Sequence, residues 1–308
     1  WKITKGDPDI VVAVVDTGIT DHPDLRDNVV AGYDFISDPL NARDGGGRDA
    51  DPSDEGDWNT SPKEDSSWHG THVAGIIAAE SNDIGIVGIA PNVKISPVRV
   101  LGVYGGTESD IAAGINWAIG VSVPKATVNS NPAKVVNLSI GSSDSYGCPS
   151  YSLTQLAIDN AKELDATLVT AAGNDGTYAK FSYPGNCSGN ITIGATGYSG
   201  DRSYYSNYAK HYPVYYSFYD VYIGVDISAP GGDDRDADGV PADGQIWSTL
   251  NTGKTSEGEP TYGELEGTSM ASPMAAGVVA LMYSIKPNLT DDQVWNILSS
   301  TAKAFAPN

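Results

Sequence analysis

The sequence predicts an α/β fold in which a mainly parallel central sheet is flanked by layers of helices. Short strand-like runs, valine-rich at 11–15 and apolar at 167–170, alternate with longer runs of small apolar residues, as at 70–79 and 270–282. Runs of the first kind are typical of strands buried on both faces of a parallel sheet. Runs of the second kind indicate helices that lie close to that sheet. With 308 residues the chain can form a single domain, 1–308, around a large core.

Asp16 stands at the end of the first of these runs. It is followed by Thr17-Gly18, a turn signal, so the strand 11–15 ends at Asp16. Catalytic groups in parallel α/β sheets gather at the carboxyl ends of the strands. A carboxylate here could simply cap the next turn. An acid directly after an apolar strand is nevertheless costly unless it is paired, and a histidine is a suitable partner.

His69 comes immediately before the predicted helix 70–79. His72 lies three residues further on and so shares a helical face with His69. His72 could be a structural histidine whose hydrogen bonds are satisfied, or the two histidines could bind a metal together. The zinc-peptidase spacing requires four residues and a Glu after the first His, and this sequence has neither. The pattern therefore favours a catalytic role for His69 over a zinc site.

Ser269 comes just before the apolar segment 270–282, whose Pro273 is acceptable in a first helical turn. On its own this serine could be an N-cap. A serine at a helix N-terminus also has free backbone N–H groups and the positive end of the helix dipole beside it, which favours a developing oxyanion. Asp16, His69 and Ser269, in that chain order, indicate a nucleophilic triad.

Together the segments 11–18, 69–75 and 267–273 resemble the three motifs of the subtilisin-like serine peptidases, or subtilases, of the secreted bacterial type with an Asp-rich insertion. The likeness extends over nearly the whole chain, from Ile10 to about Ser299. It implies a subtilisin-like three-layer fold and a serine endopeptidase that works through an acyl-enzyme.

The resemblance assigns a role to each catalytic side chain. Ser269 is the implied nucleophile, His69 the general base and acid, and Asp16 the group that orients the imidazole. A fourth segment, 171–176, follows the strand 167–170, and in the family its asparagine donates to the oxyanion. That role falls on Asn174.

The resemblance also implies a substrate cleft with two walls, an edge strand that pairs with an extended peptide, and an acidic rim that tolerates polar or basic side chains. These residues are Ser139, Ile140 and Gly141 for one wall, Ala171, Ala172 and Gly173 for the other, Gly105 and Gly106 for the edge strand, and Asp175 for the rim. Tyr183-Pro184 matches a family step with a cis peptide bond, although an X-Pro bond is usually trans.

The chain carries a formal net charge of −21. This excess argues against nucleic acid and anionic membranes as partners. Because the chain starts at Trp1 rather than Met, we expect a mature, secreted, extracellular form from which a propeptide that acts as inhibitor and folding chaperone has been removed. We further expect a monomer that acts on protein or peptide substrates.

Two segments concentrate carboxylates among turn glycines. Neither has the EF-hand spacing, and either could be a solvated acidic loop, but such carboxylates suit a hard cation that takes six to eight oxygen ligands. We expect structural calcium there. The first segment, 44–57, contains Asp44, Asp49, Asp51, Asp54, Glu55 and Asp57, and the second, 231–239, contains Asp233, Asp234, Asp236 and Asp238.

A third calcium loop is implied by the resemblance alone. The segment 80–86 matches the family's principal calcium loop. There the ion would be bound by the side chain of Asn82, by Asp24, and by the carbonyl groups of Glu80, Ile84 and Ile86. The three segments together predict two or three calcium ions.

Cys148 and Cys187 are the two cysteines of the chain. An even pair in a chain of secreted type predicts one disulfide, with two free buried thiols as the alternative. Because both cysteines flank the expected substrate pocket, a bridge would brace it. Neither stands at a strand–helix junction beside a histidine motif, so we do not expect a cysteine nucleophile.

Two other functions are compatible with these motifs. One is a maturation protease of narrow specificity. The other is a catalytically silent calcium-binding module, which would require a broken triad, whereas all three residues and Asn174 are present. The Tyr-rich stretch 204–222 departs from the short family loop, and we expect it to contribute packing rather than an exosite.

Overall fold

The computed structural model describes residues 1–143, 147–212, 221–235 and 244–304. Strands and helices alternate over the first half of the chain, and the strands within 167–265 then follow one another before the last two helices. The strands are β1 (Val11–Asp16), β2 (Tyr33–Asp34), β3 (Asn59–Thr60), β4 (Lys63–Glu64), β5 (Lys94–Arg99), β6 (Val135–Leu138), β7 (Ser142–Ser143), β8 (Thr167–Ala171), β9 (Ser182–Tyr183), β10 (Ile191–Thr196), β11 (Lys210–Tyr212), β12 (Val221–Ile223), β13 (Ile227–Pro230), β14 (Ile246–Asn251) and β15 (Pro260–Leu265). The helices are α1 (Pro39–Ala42), α2 (His69–Ala78), α3 (Glu108–Ala118), α4 (Leu153–Glu163), α5 (Thr268–Ile285) and α6 (Asp291–Thr301), with short 3-10 turns at Arg26–Asn28 and Ala179–Phe181.

Seven strands form the central sheet, in the order β13-β10-β8-β6-β1-β5-β2. All of its pairings are parallel. The carboxyl ends of the strands therefore meet at one edge, which is where ligands bind in sheets of this kind. The predicted parallel α/β fold is confirmed.

The two faces of the sheet carry two separate hydrophobic clusters. Along β1 successive side chains point to opposite faces, so Val12 and Val14 pack with α2 and α5 while Val11, Ala13 and Val15 pack with α3 and α4. Every residue of β1 is buried. Burial on both faces explains why this strand is a continuous apolar run in the sequence.

α5 is the core helix of the first cluster. It packs against α2, β8 and β10. By length and composition alone it could cross a membrane, but 61% of that stretch is buried within the fold. Its position beneath the sheet explains its apolar sequence.

β14 and β15 form an antiparallel hairpin outside the central sheet. The hairpin packs on α2, where Ser248 Oγ and Thr249 Oγ1 donate to the carbonyl groups of His72 and Thr71 at 2.7 and 2.8 Å. Gly75 lets the strand approach, because a Cβ there would lie 2.2 Å from Thr249 Oγ1. The sequence analysis did not predict this hairpin.

The predicted disulfide between Cys148 and Cys187 is present, and the predicted cis bond at Tyr183-Pro184 is confirmed. Both lie near the short antiparallel pair β7–β9 at the carboxyl edge of the sheet. Of the Tyr-rich stretch, Tyr205 packs as expected and donates to the carbonyl groups of Gly231 and Gly232. Residues 213–220 of that stretch lie outside the described residues.

Candidate active site

The three predicted catalytic residues lie at the carboxyl edge of the sheet. Asp16 ends β1, His69 begins α2, and Ser269 is the second residue of α5. His69 and Ser269 line one cleft of about 410 Å³ together with Asn174. Asp16 lies behind them and is fully buried. The fold thus brings together side chains that are up to 253 positions apart, from Asp16 to Ser269.

Asp16 holds the imidazole of His69. The Nδ1 atom of His69 lies 2.7 Å from Asp16 Oδ1, which also accepts the N–H of Thr17 at 2.8 Å. Burial opposes the charged imidazole, but the charge and hydrogen bond of Asp16 outweigh it and raise the pKa of His69. A carboxylate at Nδ1 keeps the proton on that nitrogen in the neutral ring. Nε2 is then free to accept a proton from a nucleophile.

Ser269 is fixed by reciprocal contacts with Ser139 of the opposite wall. Its hydroxyl donates to the Ser139 carbonyl at 3.1 Å, and the Ser139 hydroxyl donates to the Ser269 carbonyl at 2.7 Å. The hydroxyl of Ser269 is therefore engaged with the cleft wall in the free protein. Catalytic hydrogen bonds are often formed only when substrate is bound, and rotation about the Cα–Cβ bond is the movement required.

Asn174 is oriented by Thr268, the residue before Ser269. The backbone N–H and the hydroxyl of Thr268 both donate to Asn174 Oδ1, at 2.9 and 2.8 Å. The same hydroxyl accepts the N–H of Gly173 at 3.1 Å. With its oxygen held from two sides, the Asn174 amide has its Nδ2 donor left for a ligand in the cleft. Thr268 lies inside the Ser269 motif, but no sequence signal predicted its contact with Asn174.

Six of the seven residues predicted for the cleft walls and the rim line this cleft. Lining the cleft are Ser139, Ile140 and Gly141 on one side, Ala171 and Gly173 on the other, and Asp175 at the rim. Ala172 is buried and does not line it. Its carbonyl accepts the side-chain amide of Asn207 at 2.9 Å.

Gly105 and Gly106 line a second cleft of about 340 Å³. Leu101, Ile140 and Gly141 line both clefts, so the two are continuous. The expected edge strand is a turn instead, in which Gly102 and Gly105 exchange backbone hydrogen bonds at 3.2 and 3.0 Å. Gly105 has a φ of 78°, which a glycine adopts without strain and which a regular strand does not use.

Asp54 and Asp57 lie on the catalytic side of the acidic segment 44–57. Asp54 accepts the hydroxyl of Thr17 at 2.6 Å, and burial raises its pKa to about 7. Asp57 lines the cleft beside His69 and accepts both the N–H and the hydroxyl of Ser67 at 2.7 Å. These two predicted calcium ligands therefore contact the surroundings of the triad.

Asp44, Asp49 and Asp51 occupy the outer part of the same segment. Asp49 and Asp51 each accept a backbone N–H two residues further on. A Cβ placed at Gly46 would lie 3.5 Å from Asp49 Oδ2 and 3.7 Å from Asp44 Oδ1, so two carboxylates face one small space. Hard carboxylate oxygens of this kind fit calcium.

The donor atoms of the Asn82 loop are turned toward one another. Buried Asp24 accepts the Asn82 amide at 2.9 Å, the Ile86 N–H at 3.0 Å and the Tyr262 hydroxyl at 3.2 Å. Asn82 Oδ1 accepts the Ile84 N–H at 3.0 Å, and the N–H of Glu80 donates to the Asp24 carbonyl at 2.8 Å. In this arrangement the Asp24 and Asn82 side chains bind one another, and calcium at this loop stays a prediction from the resemblance.

The last predicted loop is described only in part, because Asp236 and Asp238 lie outside the described residues. Asp233 accepts the backbone N–H groups of Tyr204 and Arg235, at 3.1 and 3.0 Å. Asp234 Oδ1 accepts no hydrogen bond and lies 3.7 Å from Arg235 Nε in an ion pair. Within the ranges that the structure describes, no three His, Cys, Asp or Glu side chains are grouped as a metal site would group them.

Known proteins resemble this chain over nearly its full length. The family model of the subtilases matches residues 7–308. The chain is 45% identical to an extracellular protease of Xanthomonas campestris pv. campestris, over 96% of this chain and 47% of that protein. It is 34% identical to Subtilisin Savinase of Lederbergia lenta, over 96% of this chain and 84% of that protein.

A solved protease structure is also similar to this chain over nearly its full length. A protease from Pseudoalteromonas arctica PAMC 21717 matches with a TM-score of 0.89 and 43% identity, over 99% of this chain and 86% of that one. The chain spans about half the length of the Xanthomonas protein and of a Dichelobacter nodosus extracellular basic protease. Sequence and fold agree, and the chain belongs to the subtilase family of subtilisin-type serine endopeptidases.

Proposed function

We propose that this chain hydrolyses peptide bonds within proteins through an Asp16–His69–Ser269 triad and an acyl-enzyme intermediate. The observation that carries the proposal is that His69 and Ser269 line one cleft while Asp16 lies 2.7 Å behind the imidazole. A silent binding module would have no need of a buried carboxylate aimed at a histidine that faces a cleft.

The proposed reaction begins with Ser269. Its hydroxyl leaves the Ser139 carbonyl and attacks the substrate carbonyl carbon while His69 Nε2 takes the proton. Asp16 stabilises the imidazolium that forms and holds its orientation. The imidazolium then protonates the leaving amine, and an acyl-enzyme remains on Ser269. Water, activated by the same imidazole, releases the acid product.

The developing oxyanion has two donors in this proposal. One is the Asn174 Nδ2 amide, whose orientation is set by Thr268. The other is the backbone N–H of Ser269 in the first turn of α5, where the helix dipole favours negative charge. Donors fixed in advance around a forming charge are usually the largest contribution to catalysis of this kind.

The continuous clefts favour an extended peptide as the substrate. Their walls come from several separate segments, including 139–141 and 101–106. Asp57 and Asp175 line the first cleft, and none of the described residues that line it is a Lys or Arg. We infer that polar and basic side chains are accepted there more readily than acidic ones.

Two relatives are named extracellular proteases, which supports secretion of this chain as well. We include secretion in the proposal. A removed propeptide and a monomeric state stay predictions from the sequence.

Subtilases generally bind structural calcium. We propose that calcium stabilises this chain at the outer acidic segment, through Asp44 and Asp49, and at the loop that begins with Asp233 and Asp234. The Asp49 and Asp44 oxygens that lie near Gly46 support the first site, and the Asp234 Oδ1 atom, which accepts no hydrogen bond, supports the second. When bound, calcium would neutralise carboxylates that otherwise repel one another, and it has no part in the reaction.

The test of the proposed function is Ser269→Ala. We expect the variant to fold with the melting temperature of the parent and to lose activity on an unfolded protein substrate by several orders of magnitude. A fluorophosphonate should label the parent at Ser269 and leave the variant unlabelled. Turnover near the parent's level in the variant would show that Ser269 is not the nucleophile.

A further inference from the structure

Trp68, the residue directly before His69, has an unusual backbone conformation. Its φ of 50° and ψ of 34° lie in the left-handed region, which bulky L-residues rarely adopt. Its side chain is only 1% exposed. Because α2 begins at the next residue, the backbone angles of Trp68 set the direction in which His69 enters the helix.

The indole of Trp68 is anchored on the β14–β15 hairpin. Its Nε1–H donates to the carbonyl of Gly253 at 2.6 Å. Two residues earlier, the N–H of Ser66 donates to the carbonyl of Lys254 at 2.8 Å. The segment that leads into His69 is therefore bonded to the turn 252–258 at two points.

That turn is itself organised by one buried side chain. Asn251 Oδ1 accepts the N–H groups of Gly253 and Gly258, at 2.9 and 2.7 Å. The same hairpin also holds α2 through Ser248 and Thr249. One structural unit thus fixes both the body of α2 and the residue that precedes it.

We propose that Trp68 is a positioning residue for His69: its indole, anchored on the Gly253 carbonyl, keeps residue 68 in the left-handed conformation and so holds the imidazole against Asp16. The consequence for turnover rests on the proposed function. The consequence for the imidazole does not, because it can be measured in a protein that catalyses nothing.

Loss of the anchor should weaken the contact between His69 and Asp16. Without it, residue 68 can return to an ordinary backbone conformation, and Nδ1 then moves away from the carboxylate. The charged groups that act on His69 are Asp16 from β1 and Asp54 and Asp57 from the preceding segment. Trp68→Phe leaves all three in place, so a change in titration reports on position and not on charge.

The experiment compares Trp68→Phe with Trp117→Phe. Trp117 is 3% exposed, and its indole donates to the Thr127 carbonyl at 2.7 Å, so this control loses the same kind of bond far from the site. Both changes are made in Ser269→Ala, and the His69 imidazole is titrated by NMR, its signal assigned by its absence in His69→Asn. We expect the pKa of His69 to fall in Trp68→Phe and to stay unchanged in Trp117→Phe.

Kinetics in the protein with Ser269 intact give the second measurement. We expect Trp68→Phe to lower kcat by about tenfold with little change in KM, because a misplaced base costs rate and not binding. Trp117→Phe should keep both constants. Trp68→Gly should retain more activity than Trp68→Ala, since only glycine adopts the left-handed conformation freely.

The inference is overturned if Trp68→Phe keeps the His69 titration and kcat of the parent while its melting temperature falls as far as that of Trp117→Phe. Trp68 would then be an ordinary core residue. If Trp68→Phe does not fold, Asn251→Ala replaces it, since it loosens the turn that presents the Gly253 carbonyl, and the same two outcomes decide. An inactive parent protein would refute the proposed function alone, because the titration requires no turnover.

Discussion

Removing the Cys148–Cys187 bridge should lower stability by an amount that its loop length sets. The cysteines are separated by 39 positions. In the chain-entropy description, cross-linking a loop of this size lowers the entropy of the unfolded chain by about 13 cal/mol/K, or about 4 kcal/mol at 25 °C. Unfolding of 308 residues has an entropy of about 0.65 kcal/mol/K near the midpoint. Dividing the lost stability by this unfolding entropy gives a decrease of about 6 °C in melting temperature.

The assay is calorimetry on Cys148→Ser/Cys187→Ser in the Ser269→Ala protein, where self-digestion cannot distort the melting curve. The bridge also joins the loop before α4 to the segment that follows β9, and β9 pairs with β7 at the edge of the cleft. In the active protein we therefore expect KM to rise more than kcat falls. A decrease below about 1 °C would refute the entropy argument and show that native contacts of the loop, and not the cross-link, restrict it.

Three further predictions concern chemistry and metal. The proposed base must be neutral, and Asp16 raises the pKa of His69 against the effect of burial. We therefore expect kcat/KM to fall as the pH drops through a value above the pKa of a free histidine, and Asp16→Asn should move this fall to lower pH. A rate independent of pH would contradict a histidine base. Asn174→Ala should lower kcat by about 10²–10³-fold with KM nearly unchanged, which is the loss known for a donor of this kind in subtilisin. An unchanged kcat would rule out Asn174 as an oxyanion donor. Calcium at one hundred times its Kd should raise the free energy of unfolding by about 2.7 kcal/mol over that measured with a chelator. Asp44→Asn/Asp49→Asn should reduce this gain. Identical melting curves with calcium and with chelator would show that these loops are solvated turns.

The fold class and the grouping of Asp16, His69 and Ser269 were predictable because the decisive signals are local. β1 is buried on both faces, so its sequence is an uninterrupted apolar run, and the polar residue that ends it must lie at the carboxyl edge. The same holds for α5, whose small residues follow from close packing beneath the sheet. Asp16, His69 and Ser269 each adjoin such an element. Parallel topology alone then brings them to one edge.

The hairpin β14–β15 was not predictable in the same way. Its strands are half-buried and mix polar with apolar residues, so no continuous apolar run marks them. Its contacts with α2 join residues more than 170 positions apart, such as Ser248 and His72. The left-handed Trp68 depends on this hairpin. Its conformation could not be inferred from a sequence in which a tryptophan before a helix looks like an ordinary core residue.

The acidic segment 44–57 shows most clearly where local inference ends. Composition correctly marks its carboxylates as unusual, but composition cannot say which of them face one another. In the fold, Asp44 and Asp49 face a common space at Gly46, whereas Asp54 accepts the Thr17 hydroxyl and Asp57 lines the cleft beside His69. Thr17 Oγ1 in turn accepts the N–H of Gly70, the residue after His69. The inner carboxylates are therefore tied to the start of α2, and replacing Asp54 should disturb the triad rather than the binding of an ion.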